Sequence, residues 1–498
     1  MILKNMFLYD LINPKKYDIF FGAFTILFFI VFYCISIVTH QMYLTNSMDM
    51  GIYNQYVYIF SHFKGFKSTV YPNYPNGIFF LGDHVTLLLP IESLFFWILG
   101  KNVLLYLQIF YIILGATGVY FLVTRLNSAL VGLYAAILVY LHYSVYAALS
   151  FDYHPNIIGI MLIPWILYFY YTGNTYRFLF IVGLGLLSKE DIPLYYIFVG
   201  LFLLADSIQK RDAIKYNFIV ILIGISLLYF LFSLYILQKF NPNPNISISN
   251  WKFSPEVGKN IREMFINITH NPSQFINIMT NTIEKQEKIN LFIYSGGFLI
   301  ILTGWHYLMP LIPLFLHTLL SSEWTMWGNL YHYNIVLSIW LPVIISNSFN
   351  KININLLQVV LGLIIIYQYI IILLNAPLEP LKWSKIQKIF TSQYYFQRYN
   401  QREISEMLDI IPKDAVVCAS NHLVPHLAFR DKIYMFPNVF DAEYIALLET
   451  DCNDKFYPFQ NSISCYLEIK KYLQNNNWEI KYRKNGVLLL QKKSYLSP

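Results

Sequence analysis

Long apolar runs with almost no charge inside them constrain this sequence more than any other feature. Hydrophobic residues make up 56% of the chain and charged residues only 13%, whereas roughly a quarter of a soluble domain is charged. An apolar stretch of about 20 residues spans a bilayer as a helix. The sequence therefore predicts an α-helical, multi-pass membrane protein. It excludes a soluble enzyme, a nucleic-acid-binding protein and an outer-membrane barrel, whose strands alternate in polarity.

Charge is concentrated at the C-terminal end of the chain. The sequence has 35 Lys and Arg and 28 Asp and Glu residues, and 29 of these fall in the last 123 positions. We therefore expect a transmembrane part over residues 1–375 and a soluble domain, called the tail below, over residues 385–498.

The tail has the pattern of a small α/β domain. Residues 401–411 and 464–473 look helical, and Asn485-Gly486 between two apolar stretches is typical of a tight hairpin. Cys452 and Cys465 either pair or remain free thiols. Strand-like runs lie at 415–420, 432–436 and 444–448.

The apolar runs predict about eleven membrane spans, with the N-terminus in the cytoplasm. Lys15 and Lys16 precede the first span, and basic residues concentrate on the cytoplasmic side of membrane proteins. An odd number of spans places the tail outside the cytoplasm, in a plasma or inner membrane. The predicted spans are 18–39, 102–123, 129–149, 156–172, 178–188, 192–206, 216–238, 291–305, 308–320, 334–348 and 354–374.

Two long loops are predicted on the outer face, at 40–101 and 239–290. Within the first loop, residues 85–100 are apolar but short and contain Pro90 and Glu92. We interpret this segment as a re-entrant or interfacial helix rather than a full span.

The unusual polar residues of the membrane part converge on the outer face in this topology. Ionisable groups near membrane depth are costly, so they usually face a cavity and indicate function. Taken singly, each also fits a structural role, as a solvated loop acid, an interfacial histidine or a locally paired turn. The convergent set is Asp49, Asp83, His84, Asp152, His154, Lys189, Glu190, Asp191 and His332.

An ordered set of short motifs resembles one prokaryotic family of predicted membrane proteins, domain of unknown function 2079. The resemblance covers nearly the whole chain, although each motif is weak alone. The motifs are Asp-x-Gly at 49–51, Gly-Asp-His at 82–84, Gln108, Phe-x-x-His-Pro at 151–155, Lys-Glu-Asp at 189–191, Tyr-His-Tyr at 331–333 and Pro-Lys-Asp-Ala-Val-Val at 412–417.

The layout is also similar to the GT-C class of integral-membrane glycosyltransferases. That resemblance implies an acidic residue in the first outer loop, which Asp49 matches, and membrane-surface helices, which 85–100 matches. Lys189 matches a lysine that some members place at the outer end of a later helix. Many members carry an acidic pair in the first loop, whereas Asp49 stands between two methionines, so metal-assisted and metal-free versions both remain open.

The GT-C resemblance implies transfer of a sugar from a polyprenyl-phosphate carrier to an acceptor hydroxyl. Asp49 would then be the general base, and Lys189 would stabilise the departing phosphate. Glu190 and Asp191 either orient Lys189 or hold Mg²⁺ or Mn²⁺ together with Asp49. The remaining candidates for contacting the substrates are Asp83, His84, Asp152, His154 and His332.

Two other classes of protein fit the same polar cluster. A secondary transporter or channel would share it, but transporters often have repeated halves with matching broken helices, and only one break is visible, at 188–191. A non-catalytic envelope scaffold is the third interpretation. The lipid bilayer is the expected environment, and the sequence leaves the oligomeric state open.

Overall fold

A computed structural model of the chain shows a helical part followed by a small sheet. It describes residues 14–211, 215–242, 257–258, 261–328, 331–352, 354–375, 390, 399–453 and 462–493.

The first helix, α1, runs over Pro14–Tyr33 and continues through a π-helical turn at Cys34–Val38 as far as Gln41. The helices up to the second predicted outer loop are α2 (Ile52–Ser61), α3 (Leu89–Ser93), α4 (Phe96–Leu99), α5 (Val103–Leu126), α6 (Ala129–Leu141), α7 (Tyr143–Ser150), α8 (Asn156–Thr172), α9 (Thr175–Leu186), α10 (Ile192–Lys210) and α11 (Tyr216–Phe240). The helices after it are α12 (Ile261–His270), α13 (Pro272–Thr280), α14 (Ile283–Tyr294), α15 (Ile300–Thr303), α16 (Ile312–Leu319), α17 (Trp324–Trp327), α18 (Ile335–Phe349) and α19 (Asn355–Asn375).

Several of these helices are long and apolar enough to cross a membrane. In the described part of the chain there are five, or six if α6 and α7, which bend by 42° at their junction, form one broken span. The multi-pass helical architecture is thereby confirmed, and the count of eleven stays a prediction. The five are Lys16–Gln41, Leu89–Leu126, Ile192–Lys210, Tyr216–Phe240 and Asn355–Leu374.

The predicted spans 291–305 and 308–320 differ most from the structure. Each is broken into short α and 3₁₀ pieces rather than one helix. Gly304 has φ +115°, a backbone conformation that only glycine adopts easily. Pro310 follows within the next 3₁₀ turn and has no N–H to donate. The residues between α14 and α16 therefore turn repeatedly.

Breaks between the other helices follow from local capping. The ring Nδ1 of His142 accepts a hydrogen bond from Ser144 N at 3.2 Å and caps α7, which ends α6 within the predicted span 129–149. Pro193 lies in the first turn of α10, where its missing N–H costs nothing. Lys189, Glu190 and Asp191 consequently lie in the short loop between α9 and α10.

The end of the first predicted outer loop coincides with the start of the candidate span Leu89–Leu126, and there the chain forms short helices. The segment 85–100 forms α3 and α4, and much of its apolar surface is exposed, including Trp97 and Ile98. Short helices with exposed apolar faces are typical of membrane-surface segments. A two-stranded ribbon, β1 (Lys67–Ser68) with β2 (Ile78–Phe79), completes the loop.

The second predicted outer loop, 239–290, is helical over most of its described residues. It contains α12 and α13, and α14 continues beyond the predicted boundary at residue 290.

Over its described residues, the tail contains a five-stranded sheet and three α-helices. The elements are α20 (Gln401–Leu408), β3 (Val417–Ala419), α21 (Val424–Leu427), β4 (Ile433–Met435), β5 (Tyr444–Leu448), α22 (Ser462–Leu473), β6 (Trp478–Lys484) and β7 (Val487–Lys492). The strand order is β4-β3-β5-β7-β6. Strand β3 pairs in parallel with β4 and β5, and β7 pairs antiparallel to β5 and β6. Asn485 and Gly486 both have positive φ in the predicted hairpin, and Cys452 is disulfide-bonded to Cys465.

The tail packs directly on the first outer loop. The Thr69 hydroxyl donates to Ile433 O at 2.8 Å and accepts from Ile433 N at 3.0 Å. Lys64 forms an ion pair with Asp431 at 2.6 Å. These contacts join the tail to the first outer loop. The exact domain boundaries and the side of the membrane stay predictions.

Candidate active site

Asp49 lies in a π-helical turn, Ser47–Gly51, that leads into α2. Its side chain is 30% exposed, and Oδ1 lies 3.5 Å from Nε2 of His154. A carboxylate held beside an imidazole and still open to solvent can accept a proton from a bound hydroxyl group.

A sharp turn after α7 presents His154 to Asp49. Asp152 in this turn has φ +54°, which is uncommon for a residue other than glycine. Gln108 on α5 fixes the turn with both ends of its amide: Nε2 donates to Asp152 O at 2.9 Å, and Oε1 accepts from His154 N at 2.9 Å. The buried Gln108 therefore orients the histidine from outside the site.

His332 stacks on His154, with their ring centroids 3.6 Å apart. Both ring nitrogens of His332 are buried and have no hydrogen-bond partner among the residues that the structure describes. Burial, reinforced by the neighbouring His154, holds the pKa of His332 well below its usual value. His332 is therefore a neutral imidazole with unused donor and acceptor capacity beside Asp49.

A second group forms around the loop between α9 and α10. His84 Nδ1 lies 2.8 Å from Glu190 Oε1, and Val85 N donates to Glu190 Oε2 at 2.9 Å. Burial acts to raise the pKa of Glu190, but the charge and hydrogen bond of His84 outweigh it and lower that pKa. Glu190 is therefore an ionised partner of His84.

The pKa of His84 is raised above its usual value. Burial and the charge of Lys189 act to lower this pKa, but the carboxylates of Glu190 and Asp83 outweigh them. The Asp83 carboxylate is 4.0 Å from His84 Nε2 and accepts a hydrogen bond from the Tyr71 hydroxyl at 3.0 Å.

Lys189 is 9% exposed and forms no ion pair with any residue in the described ranges. Burial acts to lower the pKa of Lys189, but the surrounding carboxylates, Asp191 and Glu190 first and then Asp83 and Asp49, raise it. A buried ammonium without a direct counterion favours an anion beside it.

A cleft open to solvent lies between Asp49 of the first group and the Asp83 and His84 side of the second. Asp49 lines one part of its wall, and Asp83 and His84 line another. Three tyrosines that the sequence analysis did not single out, Tyr53, Tyr56 and Tyr71, also line it. Their only sequence signal is their position in the first outer loop.

Asp152 is bonded within the protein. Its Oδ2 accepts from the backbone N of Asn46 at 2.9 Å and from Asn46 Nδ2 at 3.1 Å. Asn46, which the sequence analysis also missed, thus ties the turn carrying His154 to the segment carrying Asp49. Substrate contact by Asp152 stays a prediction.

The predicted cation ligands do not fit a metal ion as they are arranged. Both carboxylate oxygens of Glu190 are bonded to His84 and Val85. Over the described part of the chain, no group of three or more His, Cys, Asp or Glu side chains could hold a metal ion. Binding of Mg²⁺ or Mn²⁺ by Asp49, Glu190 and Asp191 stays a prediction, and no step below is routed through it.

The fold is shared with solved membrane-protein structures. ArnT from Cupriavidus metallidurans bound to undecaprenyl phosphate has a TM-score of 0.54 and 11% identity, covering 97% of this chain and 99% of that chain. Its apo structure has a TM-score of 0.52 and 10% identity, covering 96% and 98%. At such identities the similarity shows the fold alone. It confirms the predicted GT-C layout.

No curated protein matches the sequence. A family profile, described as predicted membrane protein (DUF2079), matches residues 39–489. That range includes every candidate site residue and nearly all of the tail, so the chain belongs to the DUF2079 family of predicted membrane proteins.

Proposed function

We propose that the protein is a membrane glycosyltransferase. It moves a sugar from a polyprenyl-phosphate carrier to an acceptor hydroxyl at the outer face of the membrane. The observation that carries this proposal is the position of Asp49, a partly exposed carboxylate beside His154 on the wall of the cleft.

Asp49 is the general base in this proposal. The acceptor oxygen attacks the anomeric carbon of the sugar while its proton passes to the Asp49 carboxylate. His154 orients the carboxylate through their 3.5 Å contact. A positioned base of this kind contributes about 100- to 10,000-fold to a rate.

Lys189 stabilises the leaving group. As the bond between the anomeric carbon and the phosphate oxygen breaks, negative charge grows on the phosphate, which stays attached to the lipid. A preorganised cation stabilises such developing charge. The ammonium of Lys189 has no ion pair with a described residue, so it is available to the phosphate.

His84 and His332 supply further contacts to the donor. His84 is held toward its charged form by Glu190, and His332 has two unpartnered ring nitrogens in the described structure. Neither is required to transfer a proton in the chemical step. Their roles are to bind and orient the phosphate and the sugar.

The shared fold supports a polyprenyl-phosphate donor. ArnT was solved with undecaprenyl phosphate, and the short helices α3 and α4, which expose apolar residues including Trp97 and Ile98, suit a membrane surface. A donor anchored in the bilayer would bring its phosphate to that surface.

The direct test is carrier release by the purified full-length protein in lipid nanodiscs. Polyprenyl-phosphate sugars are supplied together with solubilised membranes of the expressing cells as the acceptor source. We expect free polyprenyl phosphate to appear with the wild type and to fall about 1,000-fold with Asp49→Asn.

Asp431→Asn is the matched control. It removes a carboxylate whose side chain is 64% exposed and which does not line the cleft. It should release carrier at the wild-type rate. Equal rates for wild type and Asp49→Asn would remove Asp49 from the mechanism. Solute flux into vesicles without carrier release would identify a transporter instead.

A further inference from the structure

The side chain of Asn421, in the tail, bonds directly to the segment that carries Asp49. Its Oδ1 accepts hydrogen bonds from Ser47 N at 2.9 Å and from the Ser47 hydroxyl at 2.7 Å. Its Nδ2 donates to Asn46 Oδ1 at 3.1 Å. Asn421 thus makes three hydrogen bonds to the two residues at the start of the turn containing Asp49.

The turn needs these bonds because it lacks a cap of its own. Asn46, the residue before the π-helical turn, is extended (φ −111°, ψ 151°) and makes no side-chain capping bond. The first N–H groups of a helix have no intrahelical acceptor. Asn421 supplies the acceptor for Ser47 N from a position 374 residues away in the sequence.

Neighbouring tail residues restrict the same segment. His422 Nδ1 lies 2.9 Å from Thr45 O. A Cβ atom added to Gly51 would lie 2.8 Å from Val424 Cγ1, so only glycine allows this close approach. Tail residues at 421, 422 and 424 therefore contact the chain both before and after Asp49, at residues 45–47 and at Gly51.

Asn46 links this arrangement to the histidine side of the site. While Asn46 Oδ1 accepts from Asn421, its N and Nδ2 both donate to Asp152 Oδ2. Asp152 is two residues before His154, and Asn46 is three residues before Asp49. The chain Asn421–Asn46–Asp152 thus spans the two segments whose side chains meet at 3.5 Å.

We infer that Asn421 of the tail is a positioning residue for Asp49. It fixes the turn so that the carboxylate faces His154 and the cleft, and the tail is thereby a component of the reaction centre. The inference rests on the proposed function for its effect on transfer. Misplacing a reacting group by about 1 Å can cost about 100-fold in rate.

The transfer test compares Asn421→Ala with Asn421→Asp. Alanine removes all three bonds, and we expect kcat to fall about 10- to 100-fold with KM for the donor unchanged. Aspartate keeps an acceptor for Ser47 but sets an oxygen against Asn46 Oδ1 in place of the Nδ2 donor, so it should recover only part of the lost kcat. Asp431→Asn, which breaks a tail contact to Lys64 away from Asp49, should leave both constants unchanged.

If Asn421→Ala raised KM without changing kcat, while Asp49→Asn still abolished transfer, the positioning role would be overturned. Absence of carrier release by the wild type would instead reject the proposed function.

Hydrogen–deuterium exchange tests whether Asn421 fixes the turn, and it does not require the protein to catalyse a reaction. In Asn421→Ala, peptides covering residues 45–51 should exchange faster than in the wild type, because Ser47 N loses its acceptor. Peptides covering α5 should be unchanged in the same sample, and Asp431→Asn should match the wild type throughout. Unchanged exchange at 45–51 in Asn421→Ala would overturn the inference whatever the enzymatic result.

Discussion

Two polar clusters lie at opposite ends of one helix and differ in how completely they are bonded. Asp191 precedes α10 in the candidate site, and Asp206 lies near its other end. Since a helix rises 1.5 Å per residue, the two positions are about 22 Å apart. We call the group around Asp206 the distal cluster.

The distal cluster is nearly closed on itself. Asp206 Oδ2 accepts from Lys210 Nζ at 2.9 Å and from the Tyr171 hydroxyl at 3.1 Å, and Oδ1 lies 3.3 Å from His306 Nε2. The side chains of Asp206 and His306 are each only 4% exposed.

The candidate site is bonded less completely and is open to solvent. Asp191 Oδ1 and both ring nitrogens of His332 lack partners within the described chain, and a cleft reaches Asp49. Buried polar groups are normally bonded, and the exceptions call for an explanation such as a ligand. The two clusters therefore differ in how completely their charged groups are bonded and not in the presence of charge.

The largest difference between the two clusters is expected when the acid in each is neutralised. Asp206→Asn should lower the free energy of unfolding by about 2–3 kcal/mol, because its buried partners lose a charged acceptor. Transfer per folded molecule should stay at the wild-type level. Asp49→Asn should show the reverse, with transfer nearly abolished and stability unchanged. Thermal unfolding in detergent and carrier release measure the two effects.

Replacing a histidine by phenylalanine should have smaller effects on stability than replacing the acids. The loss is expected in the distal cluster and not in the candidate site. His306→Phe removes the contact to Asp206, and we expect a loss of about 1–2 kcal/mol. His332→Phe keeps the stacking on His154 and removes two unpaired buried nitrogens, so stability should not fall, while transfer drops about 10-fold. Destabilisation by His332→Phe would show that His332 is structural.

The smallest expected effect is a pH dependence carried by His84 and Glu190. The pKa of His84 is raised above its unfolded value of 6.5, so its contribution is complete below pH 6.5 and is lost as pH rises through the folded pKa. The pKa of Glu190 is lowered from 4.5, so its contribution is present above pH 4.5. The difference in Tm between wild type and His84→Gln should therefore be largest near pH 5–6 and shrink toward pH 9.

A difference in Tm that grew with pH would contradict the charged His84–Glu190 pair. The distal cluster provides the control, because Lys210→Met should give a Tm difference that is nearly constant over the same range.

Much of the helical part could be predicted because it depends on local composition. The predicted span 156–172 coincides with α8, and the run 444–448 coincides with β5. Apolar periodicity and length indicate such elements without reference to the rest of the chain. The break at His142 was missed because a capping side chain ends a helix within an otherwise apolar run.

The site was predictable as a set of residues but not as an arrangement. Asp49, His84, His154, Lys189, Glu190 and His332 were singled out by charge in an apolar setting. The pairing of Glu190 with His84 was not foreseen, nor was the stacking of His154 on His332. The supporting residues Asn46, Gln108 and Asn421 carry no charge, so only Gln108 attracted notice, and then only as part of a family resemblance.

The amino-acid sequence by itself determined that this chain enters a membrane and which of its ionisable groups lie in apolar surroundings. Both depend on composition over short windows, because that composition sets how much apolar surface is buried and how costly it is to desolvate a charge there. Only the tertiary structure decided which of those groups meet. Contacts such as Ser47 with Asn421 join residues 374 positions apart, and hydrogen bonds depend on distances and angles of a few tenths of an ångström that no local pattern encodes.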